Sequence, residues 1–243
     1  MPVVNVSSYE ILDMPPELVR TIDAFYDSYA HLRKTEMESE ESTGINQHVA
    51  KTTLVSFDNE PLIRQKIAAE LARRPRVLLL RTRSREASRR RRGDAQVQPL
   101  VEAWAGMELK HTAFYGIREY HRGAELRMHV DKVKTHVYSV IMNIRQEGVE
   151  EDWPLELIDF DGEWKHRVLK PGQLLFYQSA KLIHGRPSPF NGSLYANCFC
   201  HFAPKVGWDF EKREGDVLYY KGEPLVDYKI RETYDAPELV SAK

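Results

Sequence analysis

Short runs of β-branched and aromatic residues, separated by turn signals, dominate the middle of the chain. The longest run, at 135–144, contains neither glycine nor proline. Such runs favour β-strands, and the dipeptides Asp161-Gly162 and Pro171-Gly172 favour turns between them. Further runs lie at 112–120, 155–160, 164–169, 173–177 and 193–202. Together the pattern predicts about eight short strands, as in an all-β sandwich or jelly roll.

Helical spacing of apolar residues marks the N-terminal part of the chain instead. Residues 16–32 carry one apolar stripe, formed by Leu18, Ile22, Phe25, Tyr29 and Leu32. This period predicts an amphipathic helix. The same spacing occurs at 61–71 and resumes at 99–104. The two segments predict a helical lead-in that is interrupted between them.

The interruption is strongly basic. Residues 73–92 hold ten arginines and one acidic residue, Glu86, although the formal net charge of the whole chain is −1. The stretch has neither helical nor strand periodicity, which indicates a solvated, disordered insertion over residues 73–97. Nucleic-acid binding or a localisation signal is the alternative. It is the weaker interpretation, because no aromatic residues are interleaved with the arginines.

Composition and length fit one globular domain with additions. Hydrophobic residues make up 42% of the 243 positions and charged residues 29%. The sequence has no run of eighteen apolar residues and no secretory leader, which predicts a cytoplasmic protein without a membrane partner. Cys198 and Cys200 are the only cysteines. Their i, i+2 spacing is poor for a disulfide, so we expect two reduced, apolar side chains.

Two histidines and an aspartate form the most informative motif. His129 and Asp131 stand at i and i+2, and His184 follows 53 positions after Asp131. Residues i and i+2 of a strand share one face, so His129 and Asp131 can reach one ion, while His184 comes from a second strand. Two imidazoles and one carboxylate are the ligand set of a mononuclear non-haem Fe(II) site with open positions. We expect the ligands on the second and seventh strands.

Residues around this motif carry a family resemblance. Tyr120 and Gly123 precede His129 by nine and six positions, and Pro171-Gly172 opens an apolar strand that leads to His184. This pattern, over about residues 100–205, resembles the 2-oxoglutarate/Fe(II) dioxygenases, specifically the prolyl 4-hydroxylase-like branch. The resemblance implies a mainly β fold with N-terminal helices and a double-stranded β-helix (jelly-roll) core.

The same resemblance implies the chemistry. His129, Asp131 and His184 would hold the metal and be catalytic, and Tyr120 would line the co-substrate pocket. The cofactors would be Fe(II) and the co-substrate 2-oxoglutarate, with ascorbate as a further candidate. The partners would be O₂ and an organic or peptidyl substrate, which is hydroxylated with release of succinate and CO₂. Asp131 argues against halogenation, because halogenases of this type replace the carboxylate with a small residue.

One departure concerns the distal carboxylate of 2-oxoglutarate. The branch usually anchors it with a basic residue nine or ten positions after the second histidine, where this chain has Ser193 and Leu194. A buried dicarboxylate needs a charge-matched donor. The candidates, in order of preference, are Arg118, Arg186 and Arg145.

Two alternatives stay open. A cupin-like metal dioxygenase without 2-oxoglutarate would explain the missing basic residue but would want another nearby histidine, for which His136 is the option. The other is a catalytically silent jelly roll that binds nucleic acid through its basic insertion. His166 and His201 also fall within the strand region.

The predicted organisation has four parts. Residues 1–72 form a helical region packed on the core, residues 73–97 the arginine-rich insertion, residues 98–207 the dioxygenase core, and residues 208–243 a polar tail.

Overall fold

The computed structural model describes residues 7–35, 48–49, 52–56, 97–208, 210–212, 218–220 and 223–224. Several elements precede the core. They are β1 (Tyr9–Asp13), α1 (Pro16–Tyr29) with a 3-10 turn (Ala30–Leu32), β2 (Arg33–Thr35), β3 (His48–Val49), β4 (Thr52–Ser56) and α2 (Val97–Ala105). The amphipathic helix predicted at 16–32 is confirmed, with its last turn tightened to 3-10 geometry. The helix predicted at 61–71 and the arginine-rich insertion lie outside the described residues.

Eight consecutive strands follow, close to the predicted runs. They are β5 (Leu109–Tyr120), β6 (Glu125–His129), β7 (Tyr138–Glu147), β8 (Leu155–Ile158), β9 (Trp164–Arg167), β10 (Gln173–Tyr177), β11 (His184–Arg186) and β12 (Leu194–Pro204). Two of the turns between them use left-handed glycines, Gly162 at φ 80° and Gly172 at φ 86°. The Asp-Gly and Pro-Gly dipeptides therefore mark real turns.

These strands divide between two antiparallel sheets. The larger sheet has the order β1-β10-β7-β12-β5-β4-β2, and the smaller sheet has the order β3-β6-β11-β8-β9. Successive core strands thus cross between the sheets, except for the β8–β9 pair. This connectivity is a double-stranded β-helix, which confirms the predicted fold class. His129 lies on the second core strand and His184 on the seventh, as the sequence predicts.

Apolar layers lie on both faces of the larger sheet. Its outer face packs against α1 and α2, with Leu18, Ile22 and Val101 among the buried residues. Its inner face meets the smaller sheet, where Ile141 of β7 packs with Leu157 of β8. The side chains of β12 alternate accordingly between the helix layer and the barrel interior. The inner face is where polar residues collect, and these form the site.

The remaining predictions concern the cysteines and the tail. Cys198 and Cys200 are buried and not disulfide-bonded, as expected. Within the tail, three short strands, β13 (Phe210–Lys212), β14 (Leu218–Tyr220) and β15 (Glu223–Pro224), form a separate antiparallel sheet. The sequence pattern did not predict it. In the described part of the chain, no helix combines the length and apolar character needed to cross a membrane.

A buried carboxylate joins the N-terminal segment to the core. Glu119 of β5 is 1% exposed and accepts hydrogen bonds from Tyr26 of α1 at 2.6 Å, from Arg33 at 2.6 Å and from Thr53 of β4. Burial alone would raise the pKa of Glu119, but these hydrogen bonds outweigh it and lower the pKa. The carboxylate therefore stabilises the docking of α1, β2 and β4.

Replacing this carboxylate should weaken the fold. Glu119→Gln is expected to reduce the free energy of unfolding by about 2 kcal/mol near neutral pH, because hydrogen bonds to charged groups contribute about 1.5–3 kcal/mol. A lowered pKa stabilises the fold above the unfolded-state pKa of glutamate. That stabilisation is lost as pH falls through the folded-state pKa, so wild type and variant should converge in acid. Urea unfolding at several pH values measures this.

The control for this experiment is Glu150→Gln. Glu150 forms an exposed ion pair with Arg122. Exposed ion pairs contribute little, so the control should unfold like the wild type. Equal free energies of unfolding in the two variants would contradict the proposed stabilising role of Glu119.

Candidate metal centre

Pairing of β6 with β11 brings the three predicted ligands together. His184 stands directly opposite His129 in the antiparallel register. Asp131 lies two residues beyond the end of β6, and its backbone N–H donates to the Ser179 carbonyl at 2.8 Å. One ligand atom from each of the three side chains lies within 4.8 Å of the others. Three ligand atoms this close together are able to hold one metal ion, and Asp131 contributes its atom from the loop after the strand rather than from the strand itself.

The two imidazoles are oriented by the main chain in the same way. Nδ1 of His129 lies 2.7 Å from the carbonyl oxygen of Arg127, and Nδ1 of His184 lies 2.9 Å from that of Leu182. A carbonyl oxygen can only accept, so each Nδ1 carries the proton. Each Nε2 therefore keeps its lone pair, as a metal ligand requires.

The third ligand is ionised. Burial alone would raise the pKa of the Asp131 carboxyl, but its electrostatic interactions with the neighbouring His129, His184 and His201 outweigh burial and hold the pKa well below its usual range. Oδ1 of Asp131 is 3.7 Å from Nε2 of His129. Its Oδ2 accepts a hydrogen bond from Ser139 at 3.3 Å. An anionic oxygen beside two imidazole nitrogens is a donor set that suits Fe(II).

A polar network supports Asp131 from behind. Ser139 Oγ lies 2.5 Å from Ser179 Oγ and 2.7 Å from Nδ1 of His201. The His201 ring contacts the His136 ring at a tilt of 31°, with centroids 3.8 Å apart. Burial lowers the pKa of both these histidines, which favours their neutral forms. His201, rather than His136, is the histidine nearest the ligands, with Nδ1 3.8 Å from Oδ2 of Asp131.

Other histidines of the strand region lie elsewhere. His166 on β9 has a side chain that is 58% exposed and lies 3.8 Å from Glu156. Ser139 and Ser179, which support Asp131, could not be identified from the sequence. Gly185 could have been, because it directly follows the candidate ligand His184. A Cβ at Gly185 would come within 2.8 Å of the carbonyl oxygens of Leu126 and Arg127, so only glycine lets β11 approach β6 this closely.

Comparisons with known proteins agree with this architecture. No protein-family model and no curated protein matches the chain. Among solved structures, a Pseudomonas putida prolyl-4-hydroxylase matches with TM-score 0.50 and 13% identity, over 84% of this chain and 96% of its own. A 2OG-Fe(II) oxygenase family oxidoreductase from Burkholderia pseudomallei gives 0.50 and 11%, over 81% and 85%. The chain has the fold of the 2-oxoglutarate/Fe(II) oxygenases.

A third oxygenase-fold structure shows that the fold carries several reactions. The non-heme alpha ketoglutarate dependent epimerase SnoN from nogalamycin biosynthesis matches with TM-score 0.52 and 10% identity, over 83% of this chain and 80% of its own. A hydroxylase and an epimerase thus match almost equally well. The shared 2-oxoglutarate/Fe(II) oxygenase fold leaves the reaction and substrate open.

In this oxygenase fold the three candidate arginines take different positions. Arg145 is turned towards the helix layer, where it pairs with Asp27 at 3.0 Å and lies over the Tyr26 ring at 4.8 Å. Arg145, the third-ranked candidate, is therefore excluded as the anchor, because α1 supplies its counter-charge on the outer face. Arg118 is half-buried on the inner side and lies 5.7 Å from the centre of the Phe199 ring.

Arg186 is the most enclosed of the three. It is 1% exposed and lies between the rings of Trp153 and Tyr195, at 4.6 and 4.7 Å from their centres. One nitrogen donates to the backbone carbonyl of Trp153, and another lies 3.4 Å from the Tyr195 hydroxyl. Among the residues that the structure describes, none of its recorded contacts is a carboxylate. A buried cation with spare N–H donors suits an anionic ligand.

Two more polar groups face the same interior. Tyr120 is fully buried, with its ring 5.0 Å from that of Trp153. Asn143 donates to Oδ1 of Asn197 at 2.9 Å. Within the described part of the chain, Nδ2 of Asn197 is buried and has no hydrogen-bond partner. It is therefore a further donor available to a ligand in the barrel.

Proposed function

We propose that this chain is a 2-oxoglutarate-dependent Fe(II) oxygenase that hydroxylates an organic or peptidyl substrate. The observation that carries the proposal is the convergence of His129, Asp131 and His184 within 4.8 Å. The protonation of both Nδ1 atoms supports it, because both Nε2 lone pairs are left for a cation. The fold supports it independently, since oxygenases with this architecture match over most of the chain.

His129, Asp131 and His184 would hold the iron and leave it open to the co-substrate. Iron bound there with 2-oxoglutarate would supply the oxidising chemistry, in which one oxygen atom of O₂ would enter the substrate and the other succinate, with release of CO₂. The side chains of the site would hold the iron, orient the co-substrate and shield both from water. Tyr177, whose ring lies edge-on to His184 with centroids 4.7 Å apart, forms part of the apolar wall.

Arg186 is our proposed anchor for the distal carboxylate of 2-oxoglutarate. It lies two residues after His184 on β11, so both side chains leave this strand on the same side. His184 pairs with His129 and Arg186 with Leu126 of β6, so the arginine stands beside the strand pair that carries both histidines. Asn197 would donate a further hydrogen bond, and Tyr120 would line this pocket. Arg118 remains the competing anchor.

Asp131 and Arg186 already carry the charges that Fe(II) and a dicarboxylate require. Asp131 is ionised before a cation arrives, and Arg186 is buried before an anion arrives. Each would gain the partner that compensates its desolvation. Hydroxylation of a prolyl peptide, and a role for ascorbate, stay expectations of the family resemblance.

The first test is turnover of 2-oxoglutarate itself. Protein purified without metal and reconstituted anaerobically with Fe(II) should form succinate when O₂ and 2-oxoglutarate are added. The rate should exceed that of Asp131→Ala by at least about tenfold, because that variant lacks the anionic ligand. Succinate is measured by mass spectrometry, alone and with a panel of peptides and metabolites.

The matched control is His166→Ala, which removes an exposed histidine outside the site and should keep full activity. Iron binding without succinate formation under every condition would contradict the use of 2-oxoglutarate and favour the cupin-like alternative.

A further inference from the structure

A basic cavity opens at the barrel end where the metal ligands lie. Its volume is about 360 Å³. The start of β5, the loop that follows Asp131 and the segment after β12 form its walls. Three lysines line it: Lys110, Lys134 and Lys205. Nothing in the proposed metal and co-substrate sites uses these residues.

Among the described residues, ion pairs compensate only part of the positive charge of this cavity. Lys205 pairs with Glu108 at 3.2 Å. Lys110 and Lys134 are exposed, and no ion pair to a described residue is recorded for either. Two ammonium groups around one concave surface attract an anion. A fourth lysine, Lys181, lies nearby, with Nζ 5.9 Å from the centre of the Trp208 ring.

An aromatic side chain adds an apolar surface. Trp208 lines the cavity, and its indole N–H donates to the carbonyl oxygen of Val133 at 2.8 Å. This hydrogen bond ties the segment after β12 to the loop that carries Asp131. The cavity therefore offers both cations and the edge or face of a fixed indole. Such a combination suits a molecule with a charged end and an apolar body.

Short contacts connect the cavity wall to the metal ligands. Thr112, which lines the cavity, has its hydroxyl 2.9 Å from the His201 carbonyl oxygen and also contacts that of Thr135. The Thr135 hydroxyl lies 2.6 Å from Nδ1 of His136, whose ring contacts that of His201. His201 in turn approaches Asp131. The cavity is thus connected to the triad through the polar network that supports Asp131.

We infer that this basic cavity binds the oxyanion group of a small anionic substrate, either a carboxylate or a phosphate. That the bound anion is a substrate rests on the proposed function, whereas its binding does not depend on iron. The volume is near the lower end of the range of small-molecule pockets, about 300–1,000 Å³. It therefore fits the end of a small molecule rather than a folded partner.

The test measures binding on the metal-free chain, so it is independent of catalysis. Phenyl phosphate, phenylacetate and the neutral 2-phenylethanol serve as probes, and tryptophan fluorescence reports binding. We expect one or both anions to bind and the neutral probe to bind at least about tenfold more weakly, because it lacks the charge-assisted contacts. Comparison of the two anions identifies phosphate or carboxylate as the preferred group.

Variants locate the site. Lys110→Gln combined with Lys134→Gln should weaken binding of the preferred anion at least about tenfold. Lys170→Gln is the control, because Lys170 is exposed in the turn before β10, at the far end of that strand from Tyr177. Trp208→Phe should remove the fluorescence response, and calorimetry should still detect binding. Arg186→Lys should bind the anion like the wild type, which separates this cavity from the proposed co-substrate pocket.

The outcomes separate the two proposals. Anion binding that the lysine variant loses, in a protein without iron-dependent succinate formation, would support the cavity and overturn the proposed enzyme. Succinate formation together with equal binding of all three probes, or with unchanged binding in the lysine variant, would overturn the cavity.

Discussion

Alanine in place of any one of the three ligands should abolish iron-dependent turnover. In His129→Ala, Asp131→Ala and His184→Ala we expect the Fe(II) affinity to fall at least about a hundredfold, because loss of even a supporting residue behind a ligand costs about 10–100-fold. Succinate formation should fall to background in each. Metal content after dialysis and anaerobic calorimetry measure the affinity directly, apart from turnover.

The fold should survive these substitutions. His129 and His184 face each other across one strand pair, and the hydrogen bonds of that pair come from the backbone. Loss of one imidazole leaves the core between helices and sheet intact. Circular dichroism and thermal unfolding of the metal-free variants check this, with His166→Ala as the matched control. Turnover like that of the wild type in any two of the three variants would overturn the metal site.

Arg186→Lys should raise the KM for 2-oxoglutarate at least about tenfold, which corresponds to about 1.4 kcal/mol of binding free energy. A lysine keeps the charge but cannot offer the planar fork that a carboxylate accepts from a guanidinium. It also loses the stacking between Trp153 and Tyr195. The Fe(II) affinity should stay unchanged, because the residue does not contact the ligands. Steady-state succinate formation and anaerobic titration of 2-oxoglutarate give the two values.

Two further arginine variants make this experiment decisive. Arg145→Lys is the matched control, since Arg145 pairs with Asp27 outside the barrel and should leave KM unchanged. Arg118→Lys tests the competing anchor. A raised KM in Arg118→Lys with a normal KM in Arg186→Lys would assign the carboxylate to Arg118. A normal KM in both would remove 2-oxoglutarate from the proposal.

Local patterns predicted most of the fold. The strand at 173–177 was predicted to the residue, because Pro171-Gly172 forces a turn immediately before an apolar run. The strand predicted from residue 135 begins instead at Tyr138. The backbone N–H groups of Thr135 and His136 both donate to the Lys132 carbonyl, which makes a turn of residues with high strand propensity. That turn belongs to the loop from which Asp131 reaches the metal site.

The long-range contacts of the arginines could not be predicted from the sequence. The ligand motif could be recognised in the sequence, although Asp131 lies in the loop after β6 and not on the strand. The direction of each arginine, in contrast, depends on its partner. Arg145 turns outward because Asp27, 118 positions earlier, meets it there. Arg186 turns inward between two aromatic rings, one of them 33 positions before it. Neither partner could be identified from local periodicity.

The orientation of the two ligand imidazoles has a consequence for divergence. Each Nδ1 is bonded to a main-chain carbonyl two residues earlier in its own chain segment. Every residue supplies a backbone carbonyl whatever its side chain. The backbone conformation therefore determines the orientation of the two imidazoles. The exposed side chain of Arg127 is thus free to change during evolution without reorienting an imidazole, whereas the buried Leu182 has to stay apolar for the sake of the core. A site specified in this way can persist while nearly all of the sequence around it is replaced.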